Sequence, residues 1–170
     1  MKNKDSISSV IKLIVLQILG IFFFSGVGSC FFRFYRSDVL ECFAQSGVDV
    51  KCFSLLPPGY TLNKLMTEQA SYLLYGIAFG FVLVAVLNLV RKKSVLYLLG
   101  VVGLTVLLFF SGAFKSGRVM DDWLTSFGNL FTKNNGVANI IAAVCYFILG
   151  TICIWFSVRS ISFRKKKQAA

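Results

Sequence analysis

The chain has no histidine, only two prolines and only seven acidic residues in 170. Without imidazole it lacks the side chain that most often serves as a general base near neutral pH and most often binds metal. It also has no Gly-rich phosphate loop, no Cys-x-x-Cys, no metal-ligand cluster and no serine or cysteine nucleophile with a base at a catalytic spacing. These gaps argue against an enzyme, and no cofactor or metal site is expected. Charge is missing from four apolar runs, residues 13–32, 70–90, 95–114 and 137–158, which hold no Asp, Glu, Lys or Arg. Ionisable groups inside membrane helices mark proton relays and ion paths, so their absence argues against a pump or a proton-coupled transporter.

What fills the sequence is apolar surface. Hydrophobic residues make up 56% of the chain and charged ones 15%, and the mean hydropathy is +0.75. About 20 apolar residues carry a helix across the hydrocarbon, where every backbone amide must find its partner within the helix. The four runs therefore predict an all-α, polytopic protein with four transmembrane helices in one domain covering residues 1–170. The first run exceeds the apolar core of a secretory signal, roughly 7–15 residues. It is expected to remain as a span, although Val27-Gly28-Ser29-Cys30 is similar to a lipoprotein processing site.

The net charge of +11 is placed unevenly. Lys2, Lys4, Lys12, Arg91, Lys92, Lys93, Arg159, Arg164, Lys165, Lys166 and Lys167 fall on one side of a four-span chain, with Asp5 as the only acid there. The other side carries Arg33, Arg36, Lys51, Lys64, Lys115, Arg118 and Lys133 against six acids. Basic residues near helix ends stay in the cytoplasm, so both termini are expected inside a bacterial inner membrane. Arg91, Lys92 and Lys93 in the tight turn, and Arg164, Lys165, Lys166 and Lys167 near the C-terminus, would anchor this topology against anionic lipid. The charge thus points to the bilayer and not to nucleic acid.

Two outer loops, residues 33–69 and 115–136, carry most of the remaining character. Cys42 and Cys52 in the first would be oxidised outside the cytoplasm, giving a structural disulfide. A Pro57-Pro58-Gly59 turn follows, and Thr61 is a candidate N-cap for a helical lead-in, Leu62 to Gln69, to the second span. In the second loop, Val119, Met120, Trp123, Leu124, Phe127, Leu130 and Phe131 recur at three- and four-residue spacing. This predicts an amphipathic helix in the membrane interface, its apolar stripe in lipid or against the bundle. Trp123 and Phe127 on that stripe are candidates for partner contact, and structural anchoring is the plainer alternative.

Gly76 and Gly80 form a Gly-x-x-x-Gly in the second span, and Ser25, Gly26, Gly28 and Ser29 give the first a small face. Small residues let helix backbones approach closely, within the chain's own bundle, with a second copy or with another protein. Cys145 and Cys153, inside the fourth run, read as small apolar residues.

The layout resembles the inner-membrane immunity proteins of pore-forming colicins. Asn63-Lys64-Leu65-Met66-Thr67, just before the second span, is similar to an Asn-x-Leu-Met-Thr stretch in some of them. Leu124-Thr125 and Gly128 fall where that family has a comparable Leu-Thr and Gly. The resemblance implies a non-enzymatic protein that binds the toxin's membrane-inserted helices and holds them out of an open pore. A competing expectation is an accessory subunit of a larger secretion or transport complex. A more remote one is a membrane thiol oxidoreductase, for which the second loop lacks the cysteine pair.

Overall fold

A computed structural model describes residues 2–47, 49–90, 95–111 and 118–168, with side chains over 10–47, 49, 51–90, 99–108, 111 and 122–157. Every regular element among the described residues is a helix: α1 (Lys2–Tyr35), α2 (Ser37–Ser46), α3 (Val50–Phe53), α4 (Leu62–Val90), α5 (Val95–Phe110), α6 (Arg118–Asn129) and α7 (Asn135–Gln168). Three are long and apolar enough to cross a membrane, over Val10–Tyr35, Leu62–Val90 and Asn135–Ser157, with mean hydropathies of 2.3, 2.4 and 2.3. They are compatible with a multi-pass membrane protein.

Within the remaining run the described helix is α5, 16 residues over Val95–Phe110. Residues 112–117, which the 95–114 run was expected to include in part, lie outside the described residues, as do Arg91, Lys92 and Lys93. Arg164, Lys165, Lys166 and Lys167 continue the backbone of α7, with their side chains outside the described set.

α1 lies between α4 and α7 and runs antiparallel to both. The reason is written in its small residues. A methyl group built on Gly28 would overlap the Tyr72 carbonyl of α4, and one on Gly76 would overlap the Phe24 carbonyl of α1. Two helices that approach this closely gain dispersion contacts along both backbones. On the opposite side of α1, a methyl on Gly26 would meet the Tyr146 ring at 2.7 Å, and Ala142 and Ala143 of α7 are buried. Ile21, Phe24, Ile77, Val84, Val101 and Ile154 fill the centre.

At the loop end of the bundle, where α1 stops and α4 starts, Phe32, Val39, Leu56 and Leu65 form a second core. The Cys42–Cys52 disulfide ties α2 to α3. Tyr60 donates its N–H to the Pro57 carbonyl at 3.1 Å, and Gly59 sits at φ +78°. Pro58 thus presets the first corner of a type II turn, and glycine takes the left-handed second. Thr61 caps the next helix, its Oγ1 accepting from the Lys64 N–H at 3.4 Å. The expected lead-in and second span are one unbroken helix of 29 residues.

Candidate functional site

Arg36 stands at the joint between α1 and α2, where the helical hydrogen bonds continue through Arg36 N–H to Phe32 and Leu40 N–H to Arg36. Its guanidinium reaches Glu68 on α4 through Nη2 at 3.0 Å and Nε at 3.1 and 3.2 Å. Tyr60 completes the group, its hydroxyl donating to Glu68 at 2.5 Å and accepting from Arg36 at 3.3 Å. The Arg36 and Glu68 side chains are only 15% and 17% exposed. Arg36 also lies 4.8 Å from the Tyr35 ring centre and 5.2 Å from that of Tyr60. Burial alone would lower the Arg36 pKa, but its hydrogen bond and attraction to Glu68 outweigh burial and raise it. Tyr60 is raised by donating to Glu68, then by burial and the nearby carboxylate, with Arg36 opposing. Each of the three groups is bonded to the other two. The arrangement fixes the entry of α4 against the exit of α1.

Beside this group opens a cleft of about 440 Å³. Arg33, Ser37, Leu40, Glu41 and Ala44, spaced along the α1–α2 joint, form one wall. Thr125 of α6 and Asn135 and Asn139 of α7 form the other, with Gln69 at the α4 side. Arg33 also reaches Asp122 of α6 at 3.4 Å, and Asp122 is 73% exposed. Thr125 donates to Asn139 Oδ1 at 3.3 Å, and Asn139 Nδ2 donates to the Asn135 carbonyl at 2.8 Å.

α6 packs along the start of α7 through Leu124, Thr125 and Gly128, not through the full aromatic stripe. A methyl on Gly128 would press on the Ala138 backbone, which lets the two helices cross closely. Trp123 is 76% exposed, and Phe127, Leu130 and Phe131 face outward beside it. The side chains of Val119 and Met120 are outside the described ones.

Gly76 and Gly80, candidates for packing or partner contact, both face α1; a methyl built on Gly80 would lie 3.1 Å from the Ile21 Cα. The disulfide lies at the loop end, with Cys52 fully buried. Cys145 and Cys153 are half-buried on α7.

One buried pair escaped sequence reading. Gln17 of α1 and Asn88 of α4 exchange amide hydrogen bonds at 3.2 and 3.1 Å inside the apolar bundle. A signal for it exists: each is the strongly polar residue of its run, and both lie near the same end of two antiparallel helices. The Arg36–Glu68–Tyr60 group left no comparable trace, because charged loop residues are ordinary. Among the described residues no three His, Cys, Asp or Glu side chains gather as a metal site. No protein-family model, curated protein or solved structure matches the chain.

Proposed function

We propose that the protein is a non-enzymatic inner-membrane protein with four spans and cytoplasmic termini that acts by binding another membrane-inserted polypeptide. Its specific role in this reading is immunity: it holds the inserting helices of a pore-forming bacteriocin out of the conducting state. The observation that carries the reading is the unequal packing of the bundle. The seams of α1 with α4 and with α7 are closed, whereas among the described side chains α5 meets the core through Val101, Thr105 and Leu108, beside a gap of about 210 Å³. That gap is lined wholly by apolar side chains, Phe81, Val82, Val84, Ala85, Val101 and Val102. On the face of α5 turned away from that gap, methyl groups on Gly100 and Gly103 would meet nothing within 4 Å. A foreign helix can add contacts on this flank without dismantling the seams, and close packing is what drives helix association in lipid.

The α6 helix lies at the membrane interface in this reading, with Trp123 and Phe127 in the headgroup region where aromatic side chains are favoured. The Asn63–Thr67, Leu124-Thr125 and Gly128 similarities supply the bacteriocin side of the argument. The test is a co-culture of the native strain with its own deletion mutant under bacteriocin-inducing stress. Killing of the mutant, reversed by the gene in trans, is expected. Coexistence while a bacteriocin activity is demonstrably released would sink the immunity role. Co-purification with stable partner proteins, with loss of the chain in their absence, would instead identify an accessory subunit.

A further inference from the structure

We infer that the apolar gap between α4 and α5 is occupied, in the membrane, by one acyl chain of a phospholipid. The inference goes beyond partner binding. It rests on the membrane placement proposed above and not on the immunity role.

The walls decide what the gap can take. Its deepest lining residues, Val84 of α4 and Val101 of α5, are each 1% exposed. Val82 and Val102 are exposed, so the gap opens between them onto the outer surface of the bundle. None of the six lining side chains carries a polar atom. A buried water needs two to four polar partners, so water is not held there. An apolar cavity of about 150 Å³ takes a benzene-sized molecule, and the roughly 210 Å³ between α4 and α5 accommodates a length of hydrocarbon chain.

Depth identifies that hydrocarbon as lipid. On α4 the lining residues lie between 81 and 85, just past residue 80, the middle of the 70–90 run. On α5, Val101 and Val102 lie about three positions before the middle of the 95–114 run. At about 1.5 Å per residue, both helices set the gap within about 8 Å of the bilayer middle. The hydrocarbon core extends about 15 Å to either side of that level. The medium outside the rim is therefore acyl chain, which surrounds the protein as a solvent does. Left empty, the gap would forfeit dispersion contacts along Val84, Val101 and their neighbours. A chain lying between the helices restores those contacts and supplements the attachment of α5 through Val101, Thr105 and Leu108. Enclosure separates this chain from the lipid around the rest of the bundle. It touches two helices and a buried floor, so it should leave more slowly.

The test reconstitutes the full chain in nanodiscs of dioleoyl phosphatidylglycerol, transfers it to detergent and records native mass spectra. The wild type should keep a mass shift of one phospholipid after lipid on the open surfaces has been washed away. Ala85→Phe fills the gap from α4 and Val102→Phe fills it from α5; each should lose that shift while helix content by circular dichroism stays unchanged. Either variant alone serves if the other fails to fold. Val86→Phe, at an exposed position outside the lining, should keep the shift. No retained lipid on the wild type would overturn the inference. So would gap-filling variants that retain lipid as the wild type does, which would show surface lipid only, or an equal loss in Val86→Phe. Recovery of the chain outside the membrane fraction would overturn the membrane placement and this inference with it. The co-culture reports on immunity separately.

Discussion

Along α1, the contacts with α4 and α7 are made where glycine or alanine lets a helix backbone meet a carbonyl or a ring, as at Gly28 with Tyr72 and Gly26 with Tyr146. Along α5, Gly100 and Gly103 face open space, and among the described side chains Val101, Thr105 and Leu108 make the attachment. The same residue type thus does opposite things on two flanks of one bundle. On the closed flank glycine removes atoms that would keep the helices apart. On the open flank it leaves a surface unfilled. A Gly-rich apolar helix is therefore no sign of tight packing until its neighbour is known, and the open flank is where a partner helix has room.

The comparison breaks most sharply at the closed seam. Gly28→Leu or Gly76→Leu must push apart two backbones already in contact, and overpacking of this kind costs about 3 kcal/mol or more. The expected outcome is loss of monodisperse protein from detergent extracts, read by size-exclusion chromatography. Normal yield and elution would show that the α1–α4 seam is wider than described.

The loop end comes next. The Cys42–Cys52 bond closes a loop with a sequence separation of 10, worth on the order of 2–3 kcal/mol in the chain-entropy account. Replacing both cysteines with serine should lower the thermal midpoint and increase proteolysis between α2 and α4. It should leave helix content unchanged by circular dichroism. An unaltered midpoint would mean that the Arg36–Glu68–Tyr60 group holds this region alone.

A smaller effect is expected inside the bundle. Gln17→Leu strands the Asn88 amide among apolar side chains and should cost about 1–2 kcal/mol, with Asn88→Leu similar. The double variant should recover part of that loss, giving a coupling of roughly 0.6–1.7 kcal/mol in a thermodynamic cycle. Strict additivity would contradict the reciprocal bond.

The mildest change is in alkali. The Tyr60 pKa is raised from the ordinary tyrosine value of 10.0 in the folded protein. Above that ordinary value the unfolded chain sheds this proton first, so it binds fewer protons than the folded state and stability falls as pH rises. The contribution is complete below pH 10.0 and disappears as pH climbs through the raised folded value. Ultraviolet titration should lose one late-ionising tyrosine in Tyr60→Phe. An identical titration of the two proteins would remove the Tyr60–Glu68 bond from the account.

Much of this was legible in the residues themselves. Uncharged apolar runs announce long helices because lipid allows a lone segment no other way to satisfy its amides, and three of the runs are such helices. The cysteine pair and the Thr61 cap were legible because their partners lie close along the chain. The side of α5 that meets the bundle was not, since hydropathy reports composition and not which neighbour a helix leans on. Nor was the meeting of Gln17 with Asn88, 71 residues apart, or of Arg36 with Glu68, because such pairs depend on how helices are set side by side. The turn of α6 was also hidden. Periodicity finds its apolar stripe, but Gly128 against Ala138 decides which neighbouring face is buried.

The most direct test of the central claim is a protection assay with Gly103→Leu, which fills the open flank of α5 with a side chain that meets nothing in the protein. At membrane abundance equal to wild type, the account predicts a normal thermal midpoint and at least a tenfold loss of protection against the bacteriocin released in co-culture. Full protection at equal abundance would contradict it, because the flank left open by α5 would then not be where the partner binds.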